Sequence, residues 1–323
     1  MIWPILAAED ALWFEDLLYF LPTWLKPCVV VAAGGVAAAV LLWAVAMLLR
    51  AATPRLAAIV WTTTKEALWQ PLFWLLLVIG TFALLLFLVI PYNTFGEDIK
   101  VVKDEGLTLI MVLATILALW TASTSIADEI DGRTALTLLS KPIARWQFIL
   151  GKFLGILGPV AILFIVLGAI FLATVSYKVV YDARESALPP PTTSQCMTEV
   201  QKIVPGLVLS FMEAVVLASI SVAVSTRLPI VPNLIICASV YVLGHLSPLL
   251  LQSSAQNIDP VRFMARLFTT VLPVLEHFNI QAAVATGQVV PLDYLAVAGG
   301  YCLLYSAMAM ILALLLFEGR DLG

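Results

Sequence analysis

The chain has 323 residues, 62% of them hydrophobic and 12% charged, with a mean hydropathy of +1.03 and a formal net charge of −4. A soluble domain carries about 25% charged residues, so this much apolar surface belongs in a bilayer. The acidic balance gives a nucleic-acid role no electrostatic support.

Residues 1–27 hold Glu9, Asp10, Glu15 and Asp16, with no base before Lys26. A signal peptide opens on a basic segment, so the first span is expected to remain as an anchor. Within 5–21, Leu12, Trp13, Leu17 and Phe20 oppose an acidic face, which predicts a surface-lying helix. Crossing the hydrocarbon core takes about 20 apolar residues. Seven runs qualify: 28–49, 72–90, 107–127, 148–175, 204–226, 229–250 and 294–317. Lipid offers the backbone no hydrogen-bond partners, so each run must be helical. The expected fold is all-α, a polytopic membrane protein of seven transmembrane helices with interfacial amphipathic helices. Lys152 lies one turn inside its run, where it can snorkel to the interface. Glu213 lies in mid-run, where a charge costs roughly 2.5–3.5 kcal/mol or more. It reads either as a substrate-path or coupling residue, or as a carboxyl hydrogen-bonded to Ser210 or a neighbouring span.

The connectors carry the polar chemistry. Residues 55–69 follow Pro54 and precede Pro71, a start and a stop for a helix. Leu56, Ile59, Val60, Thr63, Ala67 and Leu68 can share one face, with Trp61 and Trp69 suited to an interface. The segment 128–146 forms an elbow between the third and fourth runs. Asp128, Glu129 and Asp131 are favoured there if a new short helix begins at that point. Ser140 can cap the next helix with Pro142 in its first turn. A docking surface and an ordinary connector are both open readings of this elbow. Residues 176–203, with Leu-Pro-Pro-Pro at 188–191, read as an irregular loop. Residues 251–293 read as one or two short helices, with helical spacing between Arg262 and Glu276.

With the N-terminus outside, the inner segments hold Arg50, Arg55, Lys65, Arg133, Lys141, Arg145, Lys152, Arg227 and Arg320. The outer segments hold the other eight of the seventeen bases. The numbers are close, but the inner segments are shorter and denser in bases, which favours this orientation. Cys28, Cys196, Cys237 and Cys302 show no C-x-x-C spacing and read as apolar packing residues. His245 and His277 lack ligand spacing, so no metal site is expected. Gly151-x-x-x-Gly155 is a weak signal for close helix packing. No catalytic constellation is present.

Glu-Ile-Asp-Gly-Arg-Thr-Ala-Leu-Thr-Leu-Leu-Ser-Lys-Pro-Ile-Ala-Arg (129–145), followed by Phe-Ile-Leu-Gly-Lys-Phe (148–153), resembles ATP-binding-cassette transporter permeases of the type-two export class. Thr-Lys-Glu-Ala-Leu (64–68) is similar to that family's membrane-surface helix, with Lys65 and Glu66 at its centre. Ala-Val-Ser-Thr-Arg (223–227) resembles its short inner turn, Leu-Pro-Val-Leu-Glu-His-Phe-Asn (272–279) its outer helical segment, and Leu-Phe-Glu-Gly-Arg-Asp-Leu (316–322) its tail. The resemblance covers about 55–323 as a six-span domain. Residues 1–54 add a surface segment and an extra span.

The resemblance implies a coupling helix at the elbow that docks on a separate ABC ATPase subunit. Its contact candidates are Glu129, Asp131, Arg133, Thr134, Leu138, Ser140 and Arg145, with Gly132 and Pro142 setting the shape. No G-x-x-x-x-G-K-[ST] phosphate loop is present, so ATP and Mg are expected in the partner and no cofactor in this chain. The resemblance further implies a second permease copy, identical or related, an export direction, and a bacterial plasma (inner) membrane with the C-terminus cytoplasmic. A membrane-embedded enzyme would need several polar catalytic groups at one depth, and the runs show none. An ion-coupled secondary transporter or passive scaffold using Glu213 is the alternative. Inverted repeats and broken helices, the marks of such carriers, are not visible.

Overall fold

The computed structural model describes residues 21–90, 98–131, 144–187, 189–252, 263, 271–280, 283–284 and 290–318. Eight α-helices account for most of them: α1 Leu25–Ala52, α2 Pro54–Trp69, α3 Pro71–Leu86, α4 Asp98–Asp131, α5 Arg145–Glu185, α6 Thr193–Ser225, α7 Ile230–Gln252 and α8 Leu292–Glu318. A short 3-10 helix spans Leu275–Phe278. Among the described residues there is no strand. The all-α expectation is met.

Among the described residues, five helices are long and apolar enough to cross a bilayer: α1, α4 through Ile126, α5, α6 and α8. The second expected run falls in α3, which is bent 60° from α2; taken together as one broken span, the pair makes a sixth. The sixth expected run falls in α7, whose apolar part, Ile230–Leu246, is shorter.

Helices α4, α5 and α6 pack together at the centre, burying Leu107, Leu117, Ile126, Ile149, Val160 and Phe171 almost completely. Helix α8 lies along α6 and closes one side, where Phe317 stacks on Phe148 with ring centroids 5.7 Å apart. Helix α1 sits at the edge with only Pro27 buried. It is tied to α5 where Ser176 Oγ donates to the Trp24 carbonyl (2.7 Å) and Trp24 meets Tyr177 edge-on.

Three expectations are corrected. Residues 176–203 are not an irregular loop: α5 runs on to Glu185 and α6 begins at Thr193. At 1.5 Å per residue, α5 is about 60 Å long, twice the hydrocarbon thickness. Lys152 is 3% exposed, and its ammonium lies 5.9 Å from the ring centroid of Phe148, one turn nearer the start of α5. Helix α4 continues to Asp131, so Glu129 and Asp131 lie at its C-terminal end rather than opening a new helix. Helix α5 begins at Arg145 after Ala144, which leaves Pro142 outside its first turn.

Candidate coupling site

The elbow itself, residues 132–143, lies outside the described residues, and with it Gly132, Arg133, Thr134, Leu138, Ser140 and Pro142. Its two roots are described. Helix α4 enters with Asp128, Glu129 and Asp131 in its last turn, and that turn holds no basic residue. Carboxylates are disfavoured at a helix C-terminus by about 0.3–1 kcal/mol each, because the dipole there is negative. Helix α5 leaves with Arg145 and Trp146 exposed, and the Ala144 N–H donates to Gln147 Oε1 (3.2 Å). This is the elbow end of the bundle, and the opposite end is the far end.

Beside the α5 root lies α2, and the two meet more closely than ordinary side chains allow. Gly151, Gly155 and Gly158 fall on one face of α5. A Cβ at Gly151 would come 2.8 Å from Ile59 Cγ2, one at Gly155 2.6 Å from Thr63 Cβ, and one at Gly158 2.7 Å from Thr64 Oγ1. Thr64 Oγ1 donates to the Gly155 carbonyl (2.9 Å), a bond that needs the bare backbone of glycine close by. The other face of α2 shows Trp61, Lys65, Glu66 and Trp69. The expected apolar face is therefore present, and Leu56, Thr63 and Ala67 are buried on it. The Gly-x-x-x-Gly signal marks a real contact. Gly158 extends it, and the partner is α2.

Beside the α4 root lies a neutral polar knot. Asn233, fully buried near the start of α7, has its Nδ2 2.6 Å from Ser123 Oγ on α4, and 2.7 and 3.0 Å from Ser221 and Ser225 Oγ on α6. Ser123 Oγ donates onward to the Leu119 carbonyl (2.9 Å), and Cys237 Sγ donates to Asn233 Oδ1 (3.3 Å). The sequence reading passes over Asn233. A lone amide in an apolar run was its signal, for the same reason that Glu213 stood out.

Glu213 is buried on α6, and the partner the structure gives it is on α7: Glu213 Oε1 lies 3.4 Å from His245 Nε2. His245 Nδ1 faces the Tyr241 carbonyl at 3.1 Å. One residue before His245, Gly244 receives Leu275 of the 3-10 helix, 2.8 Å from where a Cβ would stand. Tyrosines of α8 hold that 3-10 segment. Tyr301 Oη accepts from the Val274 N–H (3.0 Å), and Tyr294 and Tyr305 Oη donate to the His277 and Val271 carbonyls.

At the far end the ties are charged. Lys103 of α4 pairs with Glu199 of α6, which also accepts from Lys202 (2.8 Å). Lys178 of α5 lies 3.0 Å from Asp182 and 3.5 Å from Asp98 of α4. Both Lys103 and Lys178 have side chains only 2% exposed. Asp98, Asp182 and Glu185 bring ligand atoms within 4.8 Å of one another, but the Lys178 ammonium already lies against two of them. An open cavity of ≈ 570 Å³ lies beside these groups, lined by Ile99, Asp182, Pro189, Gln195 and Glu199 among others.

Several membrane-length helices packed into one bundle define a multi-pass membrane protein. Residues 58–322 match the family described as ABC-2 family transporter protein. The chain belongs to that family, and is thus the permease subunit of an ABC transporter, a membership that implies an ABC ATPase as partner. The match begins inside α2 and leaves α1 outside it. A comparison with curated proteins found no match.

Proposed function

We propose that this chain is the permease of an ATP-driven exporter, with seven spans, an outside N-terminus and a cytoplasmic elbow that docks on a separate ATPase subunit. Two permease copies, identical or related, assemble in a plasma (inner) membrane of bacterial type, and ATP and Mg stay with the partner. Closure of the ATPase dimer pushes the elbow, and the elbow moves α4 and α5 as levers. One observation carries the reading: the elbow joins the two longest helices of the bundle, of 34 and 41 residues, at one end. The acids at the α4 root add to it. They stand at the unfavourable end of the helix dipole, and a basic docking partner would offset that cost. Glu129, Asp131, Arg133, Thr134, Leu138, Ser140 and Arg145 are the proposed contacts, Gly132 and Pro142 shape the elbow, and Lys65 and Glu66 lie on the exposed face of α2, the interfacial helix.

The test is purification from the native membrane in mild detergent. A stoichiometric ATPase is expected with the intact chain and is lost from the Glu129→Ala/Arg133→Ala double variant. An intact chain that purifies alone under several gentle conditions defeats the proposal. The alternative, a carrier or scaffold centred on Glu213, would then gain, provided Glu213→Gln abolishes transport. The His245 contact supports a packing role for Glu213 instead.

A further inference from the structure

The elbow has two roots, and each is fastened by different chemistry. The α5 root is held to α2 by contact of bare backbone. The α4 root is held to the α6–α7 hairpin by Asn233. The turn of that hairpin is short: α6 ends at Ser225 and α7 starts at Ile230. Asn233 therefore stands one turn inside α7, beside two serines of its own hairpin and one serine of α4. The Ser123 contact is the one that leaves the hairpin. It lands about two turns before the end of α4 at Asp131, the point where the elbow begins.

A leucine would fill this space without any polar atom, and interhelical hydrogen bonds in membranes contribute little stability. What an amide among hydroxyls supplies is direction and register, since only one placement satisfies the donors. Much of the remaining surface of α7 is bare, with Val231, Ile235 and Val242 at least half exposed. Its other end meets Glu213 through His245 and carries Leu275 in the notch at Gly244.

We infer that Asn233 is a positioning residue that hands the movement of the α4 root to α7 through Ser123, so that the hairpin follows the elbow. The inference rests on the proposed ATPase coupling. Movement entering α4 is passed by the Asn233–Ser123 bond to α7, and α7 delivers it to the segment around Leu275. Asn233 touches no substrate in this scheme; it sets the phase between two helices.

The experiment is hydrogen–deuterium exchange on the full chain with its ATPase in lipid nanodiscs, with and without ATP plus vanadate. Two peptides are followed, the elbow at 128–146 and the turn at 226–229. In the unaltered chain both are expected to change exchange on nucleotide trapping. Ser123→Ala, which removes one hydroxyl and leaves the hairpin's own serines in place, should keep the elbow response and lose most of the turn response. Ser123→Thr, which restores the hydroxyl, should recover it. Asn233→Leu should behave as Ser123→Ala does. A turn that responds equally in Ser123→Ala, or in none of the proteins while the elbow responds, overturns the inference and leaves the coupling reading standing. An elbow silent to nucleotide in the unaltered complex overturns both.

Discussion

The two ends of the bundle are fastened by different means. At the far end, α4, α5 and α6 run past the apolar stretches and are joined by lysine-centred ion clusters around Lys103 and Lys178. At the elbow end two ties are neutral: three glycines let α2 lie on the α5 backbone, and one amide gathers three hydroxyls, while the buried Lys152 lies against the Phe148 ring. Charges in the bilayer are expensive, so ion pairs cross-link helices at least cost where these emerge. Close contact and neutral hydrogen bonds work at any depth. The difference also separates duties. Buried ion pairs hold one geometry and fail abruptly when half of the pair is removed. A glycine seam permits sliding along its length, and a single amide can act as a pivot. A machine driven from its elbow would be expected to keep its pivots there and its clamps opposite.

The sharpest way to break this contrast is to remove a clamp. Lys178→Met leaves Asp98 and Asp182 without the ammonium they share, and removing one partner of a buried pair costs about 3–5 kcal/mol. Thermal unfolding in nanodiscs should show a large drop in midpoint. A shift no greater than that of an exposed lysine variant would mean the far end is not clamped. Next in size comes the seam. Gly155→Ala puts a methyl where Thr63 Cβ and the Val60 carbonyl already lie, at 2.6 and 3.1 Å. Overpacking of this kind costs about 1–3 kcal/mol. It should also weaken a cross-link engineered between α2 and α5, whereas Gly34→Ala on α1, which meets nothing within 4 Å, should leave both readouts unchanged.

Much of this was legible in the residues. Pro54 and Pro71 bound α2 correctly, because a proline is tolerated at a first turn and disfavoured further in. The Gly151-x-x-x-Gly155 spacing flagged a contact, but which helix fills it depends on packing that no local pattern encodes. The error at 176–203 was avoidable. Thr192-x-x-Gln195 is a capping box: the Thr192 N–H donates to Gln195 Oε1 at 3.0 Å, and Gln195 N–H donates to Thr192 Oγ1 at 3.4 Å. Lys178 and Asp182 stand four apart, the spacing at which a helix pairs them. The run of prolines at 189–191 outweighed both signals, although it marks only the turn between two helices. The acids at 128–131 misled for another reason. They suit a helix start, and the chain places them at a helix end, a local conflict of the kind functional segments carry.

The smallest effect is the most discriminating for the far end. Glu199 is shared by two lysines of unlike burial: Lys103, 2% exposed, reaches it across helices, and Lys202, 23% exposed, from one turn away on α6. Lys202→Met removes a pair that solvent already screens, worth about 0–1 kcal/mol, and the loss should shrink further in high salt. Lys103→Met should cost several times more, and should resist salt because its side chain is withdrawn from water. A double-mutant cycle with Glu199→Gln apportions the two, since each single variant leaves the other lysine in place. If the two lysines couple to Glu199 equally, the cross-helix clamp is no stronger than a pair on one helix surface. The charged end would then be a solvated cap, and the contrast with the elbow end would rest on the glycine seam and Asn233 alone.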